Sequence, residues 1–350
     1  MKTFSSSSPA SLLGLATLAL LGLAAAPAHA QTLTLNSGDN LTVSGAGTVG
    51  TLGGKAVSNA TSFYSNSIDY GYAVETNGTA AFSLANGGTL TTAGYEGRGL
   101  YDLGSGAIAI TGGTLSSTGL NSTGIYDDGS SAITISGGII SAGGLGLYYN
   151  QGTGAVTISG GSISAVSGTG LYDGSSGPIT ITGGTFSGGY SGLVAVGDGP
   201  ISISGGTFNG GTMGGRGIYD DGNSVITISG GSINAGRGGI GLDGQQGTIN
   251  LFSFGDSPFL IDGVAMNNTT LSNNLYYSQN DTISGTLANG DTLNTTFSNR
   301  GSLTMGATIN LNIGTPPAAV PEASTTVSLG LLLALGVGGI AFAARRKSAV

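Results

Sequence analysis

An all-β fold, a right-handed three-sided parallel β-helix (solenoid) advancing one turn every 22–25 residues, is what this sequence predicts, followed by one C-terminal transmembrane helix. Three observations predict the solenoid. A short block recurs at near-constant spacing, apolar and hydroxyl residues alternate inside each block, and many of the 69 glycines in 350 residues fall at fixed places in the repeat.

The block reads apolar-x-apolar-x-Gly-Gly-x-apolar, with copies beginning at Ile108, Ile133, Val156, Ile179, Ile201 and Ile226 and a looser one at Phe82. Successive starts from Ile108 are 25, 23, 23, 22 and 25 residues apart, and internal repeats of this length mark solenoids. Period-two alternation describes a strand with one buried face, so Ile133 and Ile135 point inward while Thr134 and Ser136 point out. The paired glycines, such as Gly137-Gly138, supply the backbone freedom of a tight corner, and the next apolar residue starts a second short strand. A third strand follows in a companion block: GLYD at Gly99, GIYD at Gly124, GLYY at Gly146, GLYD at Gly170 and GIYD at Gly217. Three strands and three glycine-rich corners complete a turn.

Turns stacked about 4.8 Å apart make every interior position a ladder of like residues. Counting weaker turns near Leu33 to Gly78, roughly ten turns and a length of about 48 Å are expected. One turn alone cannot bury its apolar side, so stability comes from stacking neighbours. Residues 31–247 are assigned to the solenoid. Residues 248–314 lose the strict block but keep strand-like segments at 248–254, 281–287 and 303–313; they are assigned to degenerate turns and a C-terminal cap over the open parallel edge. No helix is expected between Gln31 and Thr315.

Both flanks carry export signals. Lys2, an apolar core from Leu12 to Ala26 and the small-residue site Ala28-His29-Ala30 describe a secretory signal peptide over residues 1–30, with Gln31 the first mature residue; a lone N-terminal anchor is the alternative. At the other end, a linker at 315–319 leads to Val320-Pro321-Glu322-Ala323-Ser324, then an apolar run over 327–344 that stops at Arg345-Arg346-Lys347. Eighteen helical residues span about 27 Å, close to the roughly 30 Å hydrocarbon core of a bilayer. Because basic residues are retained on the cytoplasmic side, the cluster places the preceding chain outside. A plain single-pass anchor and a processed sorting signal both fit these residues.

The Pro-Glu motif, the apolar helix and the basic cluster over about 319–347 resemble a PEP-CTERM sorting signal. That family's commonest motif is Val-Pro-Glu-Pro, and here Ala323 takes the fourth place. The resemblance implies an exosortase-type processing enzyme in the inner membrane of a Gram-negative bacterium, cutting near Pro321 and Glu322 and passing the exported part to the surface. It also implies association with exopolysaccharide and biofilm matrix. Over about residues 80–250 the repeat style resembles bacterial β-solenoid surface proteins, including autotransporter passenger domains, and more distantly the pectin-lyase-like β-helix. Such a likeness implies fold rather than activity.

Composition narrows the chemistry. There is no cysteine, and the single histidine, His29, belongs to the signal peptide. Disulfide staples, thiolate zinc, Cys-His or Ser-His-Asp catalysis and His-ligated metals are therefore excluded. Residues 31–320 carry five basic and sixteen acidic side chains, a net charge of −11. That balance disfavours nucleic acid, whose recognition rests on Lys and Arg, and tolerates divalent cations.

Two rows stand out on the third strand. If Leu100, Ile125, Leu147, Leu171 and Ile218 point inward, then Tyr101, Tyr126, Tyr148, Tyr172 and, after a gap at Val194, Tyr219 form an outward row. A flat aromatic row is a platform for sugar rings of an extracellular polysaccharide; the same row also serves simply to cover a sheet. Beside it run Asp102, Asp127, Asp173, Asp220 and Asp243, with second acids Asp128 and Asp221. In adjacent turns, Asp102 with Asp127 and Asp220 with Asp243 bring carboxylates to one corner, hard oxygen ligands suited to calcium. Asp before Gly or Ser equally serves local turn hydrogen bonds.

A polysaccharide hydrolase or lyase would have to use the pairs Asp127-Asp128 and Asp220-Asp221 with Arg98 or Arg216. Those residues recur with the repeat, whereas a catalytic site interrupts it once, and no Gly-His-Gly type of motif is present. The outward ladder of Thr134 with Ser136, Thr157 with Ser159, Thr180 with Thr182 and Thr227 with Ser229 resembles the Thr-x-Thr face of ice-binding solenoids and, equally, any solvated strand. The expectation is a non-enzymatic structural or adhesive element, needing no cofactor unless calcium. The alternatives are a tethered autotransporter-like adhesin and a polysaccharide-active enzyme.

Overall fold

A computed structural model describes residues 33–44, 47–52, 55–58, 62–65, 71–212, 215–236, 241–244, 246–266, 268–272, 281–299, 308–314 and 316. Everything described except residue 316 falls in one compact unit, residues 1–315. No described residue is helical, and no helix there is long and apolar enough to cross a membrane. The signal at 1–30, the motif Val320 to Ala323, the apolar run 327–344 and the basic stop at Arg345 to Lys347 lie outside the described residues.

The chain coils as a parallel β-solenoid of about 7 turns with three strands per turn. The first side is built from strands such as Ile108–Ile110, Ile133–Ile135, Val156–Ile158 and Ile179–Ile181. Each pairs in parallel with the equivalent strand one turn on, so that Ile110, Ile135, Ile158 and Ile181 form one ladder. The second side follows the glycine corner, for example Thr114–Ser117, Ile139–Ala142 and Ser162–Ala165. The third carries Arg98–Asp102, Thr123–Asp127, Leu145–Tyr149, Thr169–Asp173, Ser191–Ala195 and Arg216–Asp220. Two long strands, Ile201–Asn209 and Val225–Asn234, carry their pairing through the corner, where Gly206 and Gly231 still turn at φ 96° and 101°, and join the first two sides into one sheet.

Alternation sets what the coil buries. Each turn sends two residues of the first strand and at least one from each of the others into a single core, as with Ile133, Ile135, Ile140, Leu147 and Tyr149. Thr134 and Ser136, between the buried isoleucines, are exposed. Burying each such Ile or Leu is worth about 1.5–3 kcal/mol, and ladder spacing lets like shapes nest. Phe186 and Phe208 on successive turns stack with ring centroids 4.9 Å apart and planes 5° from parallel.

The two glycines of a corner are required for different reasons. Gly161 sits at φ 86°, in the left-handed region that side chains avoid. Gly160, just before it, lies where a Cβ would stand 2.5 Å from the Ser136 carbonyl oxygen of the preceding turn. One glycine turns the chain and the other lets turns approach.

The expectation of roughly ten turns is corrected to about 7, or about 34 Å at the usual strand spacing. The difference lies at both ends, where parallel strands extend the ladders in turns interrupted by antiparallel insertions. Leu33–Leu35, Asn40–Ser44 and Ser62–Ser65 do pair in parallel with later turns. Gly47–Leu52 and Lys55–Ser58 instead fold back antiparallel on Asn40–Ser44 and on each other, consuming chain without adding turns. At the other end Thr248–Ser253 and Thr308–Ile313 continue the first side in parallel. Beyond them the pairing reverses: Thr269–Ser272 lies antiparallel to Thr308–Ile313, and Thr282–Thr286 to Thr292–Asn299. The hairpin of Phe259–Ile261 with Val264–Met266 was not foreseen from sequence.

Replacing Ile158 by Ala is expected to destabilise the purified protein by about 2–5 kcal/mol through cavity formation, while Thr157→Ala one residue away changes stability by no more than about 0.5 kcal/mol. Thermal melts followed by circular dichroism check this; equal effects at the two positions would contradict the inward–outward assignment.

Candidate functional site: the tyrosine row and the carboxylates behind it

On the third side the alternation is Leu in, Tyr out, Asp in. Leu100, Ile125, Leu147, Leu171 and Ile218 are fully buried. Tyr101, Tyr126, Tyr148, Tyr172 and Tyr219 are half-buried, with their rings on the outer face. The first four are in direct register, followed by Val194 and then Tyr219. Neighbouring ring centroids lie 5.5, 4.8 and 5.1 Å apart, but the planes are turned by 80°, 78° and 89°. The expectation of a flat shelf is thus corrected to an edge-to-face row. In it each ring's positive edge meets the next ring's negative face.

Two features of the row escaped the sequence reading. Tyr72 adds a ring beside its start, 4.7 Å from that of Tyr101; YAVET at 72–76 is a degenerate third strand one turn before RGLYD, in which Tyr72 pairs with Arg98 and Glu75 holds the row position of Tyr101. Arg98 lies across the rings, its guanidinium carbon 3.8 Å from the Tyr126 centroid, 4.4 Å from Tyr101 and 5.5 Å from Tyr72. Such cation–π contacts fix the cation over the row. A polar rim edges it: the Tyr148 hydroxyl donates to Asn150 Oδ1 at 2.8 Å, and Asn150 Nδ2 donates to Asp128 Oδ1 at 2.9 Å. Burial raises the phenol pKa of Tyr101, Tyr126, Tyr148 and Tyr172, so these hydroxyls stay neutral donors.

The aspartates occupy the next inward position. Thr76, Asp102, Asp127, Tyr149, Asp173, Ala195 and Asp220 form one inner ladder, and its four acids are fully buried. Asp127 Oδ1 accepts the Gly129 N–H at 2.8 Å, Asp173 Oδ1 accepts the Ser175 N–H at 3.0 Å, and Asp102 Oδ1 accepts the Gly104 N–H at 3.1 Å. These are Asx turns closing the third corner. No donor among the described residues reaches Oδ2 of Asp102, Asp127 or Asp173. Tyr149 replaces Asp in this ladder and donates its hydroxyl to the Gly154 carbonyl.

Asp243 is not where the spacing suggested. It pairs with Tyr219, while Asp220 pairs with Gly244. By register it therefore lines up with the outer row rather than with Asp220, although its side chain is fully buried, and the two do not share a corner. Aligning GLDG at 241–244 with GIYD at 217–220 shows the offset. Asp243 instead accepts from Arg216 Nε, and Arg216 Nη1 donates to the Tyr190 hydroxyl at 2.7 Å. Asp102 and Asp127 do stack, but no group of three or more metal-ligating His, Cys, Asp or Glu side chains converges among the described residues. Asp127 and Asp128 diverge, one buried and one exposed.

The chain matches no protein-family model, no curated protein and no solved structure.

Burial pushes the Asp173 carboxyl up to about 6 and that of Asp220 up to about 8. It also raises Asp127, helped by the neighbouring Asp102. An acid with a raised folded pKa holds its proton more tightly in the folded than in the unfolded chain. The stability these groups contribute is therefore full at and below the unfolded value of about 4 and is lost as pH rises through the folded values. The unfolding midpoint should fall between about pH 5 and pH 8, each such group contributing up to about 1.4 kcal/mol per pH unit. Asp220→Asn should flatten the slope in a pH series of thermal melts, and an unchanged slope would show that Asp220 titrates normally.

Proposed function

We propose that this protein is an exported, non-enzymatic structural or adhesive element of the cell surface or extracellular matrix, acting by repeated weak contacts along a stiff coil. One observation carries the reading: the in-register tyrosine row, which presents the same ring, hydroxyl and spacing on Tyr101, Tyr126, Tyr148 and Tyr172 in four successive turns. Contacts repeated on a rigid spacing gain avidity with each added turn. Polysaccharide is the partner such a surface suits, because a repeating polymer meets a repeating row. The divergence of Asp127 from Asp128 weighs against the lyase or hydrolase alternative.

The route outward rests on the flanking segments: a signal peptide at 1–30, then the PEP-CTERM-like motif Val320-Pro321-Glu322-Ala323, the transmembrane run 327–344 and the stop at Arg345, Arg346 and Lys347. In this reading an exosortase-type enzyme releases the solenoid from the inner membrane of a Gram-negative cell. The coil winds right-handed, the sense favoured by parallel crossovers.

Double replacement of Tyr126 and Tyr148 by Ala is expected to weaken binding to surface polysaccharide from the producing cell at least about tenfold, at roughly 1.4 kcal/mol per decade. Unchanged binding would remove the row from the function. Mass spectrometry of the protein recovered from the cell surface should find a C-terminus near residue 321; recovery of peptides containing Arg345 would instead indicate a permanently tethered adhesin.

A further inference from the structure

The repeat contains its own comparison. Arg98 and Arg216 occupy the same register position five turns apart, linked through Thr123, Leu145, Thr169 and Ser191. Both lay the guanidinium on the ring of the tyrosine three residues on, at 4.4 Å for Tyr101 and 4.3 Å for Tyr219. At Arg216 the in-plane donors are used: Nε meets the Asp243 carboxylate, and Nη1 meets Tyr190. By register Asp243 lines up with the outer row one turn beyond Tyr219. The equivalent residue one turn beyond Tyr101 is Tyr126, which offers Arg98 a ring face and no charge. Among the described residues no carboxylate lies within ion-pair distance of Arg98, although residues 31–320 carry sixteen acids.

We infer that Arg98 is a ligand site for the carboxylate of a uronic-acid residue in the bound polysaccharide, which there takes the place that Asp243 fills for Arg216. The inference rests on the reading of the tyrosine row as a glycan surface, and it specifies the glycan's chemistry. A guanidinium stacked on aromatic faces keeps its N–H groups in the plane, free for a two-point grip on a carboxylate. Arg216 shows that geometry satisfied within the chain. Arg98 is partly exposed, and apart from a contact with the Tyr101 hydroxyl its donors meet no charged partner among the described residues. Sugar rather than acidic peptide fits the surroundings. A ring seated beside Arg98 would pack against the margin of the row formed by Tyr72, Tyr101 and Tyr126, whose faces the guanidinium and the neighbouring rings already cover, with the Asn150 and Asp128 rim placed for ring hydroxyls. The net charge of −11 opposes a polyanion at long range. At about 0.15 M salt that repulsion is screened beyond roughly 8 Å, and the contact with Arg98 remains.

The test compares polygalacturonate, the same polymer with its carboxyls reduced to alcohols, and poly-glutamate, against the full-chain protein and its Arg98→Gln variant. The expected result is that the wild type binds polygalacturonate at least tenfold more tightly than the reduced polymer or poly-glutamate, and that Arg98→Gln removes this preference while still binding the reduced polymer. Equal binding of both polysaccharides, weakened alike by Tyr126→Ala, would overturn the role of Arg98 and leave the row intact. Binding of neither would remove the row reading, and this inference with it. A preference that survives Arg98→Gln, or poly-glutamate bound as tightly as polygalacturonate, also overturns it. If Arg98→Gln fails to fold, the wild-type comparison still decides, and Arg98→Lys, which keeps the charge without the planar fork, should lose most of the preference.

Discussion

Parallel pairing in register, with each side chain placed over its equivalent one turn earlier, is the constraint from which the other features of this coil follow. A strand spacing of about 4.8 Å leaves no freedom in which residue meets which, so each position is judged by how well it tolerates its own kind as neighbour. Isoleucine and leucine nest and exclude water. Phenylalanine stacks flat inside, as Phe186 does on Phe208, whereas tyrosine outside turns edge to face. Glycine recurs at the corners because one side chain there would strike the carbonyl of the turn before.

Aspartate is the residue for which stacking is unfavourable, since like charges one rung apart repel and burial adds to the penalty. The inner ladder handles this by dilution. Asp102 and Asp127 are adjacent, but the next rung is Tyr149, then Asp173, then Ala195, then Asp220. Asp102, Asp127 and Asp173 each accept a corner hydrogen bond from the residue two positions on, while the raised proton affinity of Asp127 and Asp220 keeps those two buried carboxyls largely uncharged near neutral pH.

Much of this was legible in the residues. The block from Ile108 onward and its companion GLYD fix three strands, their register and the inward face, because periods of two and of 22–25 are visible without any structure. The same alternation also determined that the aspartates turn inward after the tyrosines, a step available from Leu100-Tyr101-Asp102 alone. Less legible were features that depend on two turns at once. The offset of Asp243 required aligning a shortened block, and Arg98 over Tyr126 required knowing how a long side chain lies across a neighbouring strand. The N-terminal fold-back was hidden because Gly47–Leu52 and Lys55–Ser58 have strand composition whichever direction they run.

The reversal of chain direction in the last strands has a consequence for growth. Antiparallel segments such as Thr269–Ser272 shut the parallel edge of Thr308–Ile313, so a second molecule arriving at that end finds no template with the right polarity. Length is then an inherited quantity rather than an assembled one. Duplicating or deleting one block in the coding sequence would lengthen or shorten the coil by a single rung of about 4.8 Å, leaving both termini as they are. Reach is therefore tunable in discrete steps, with no new interface to evolve.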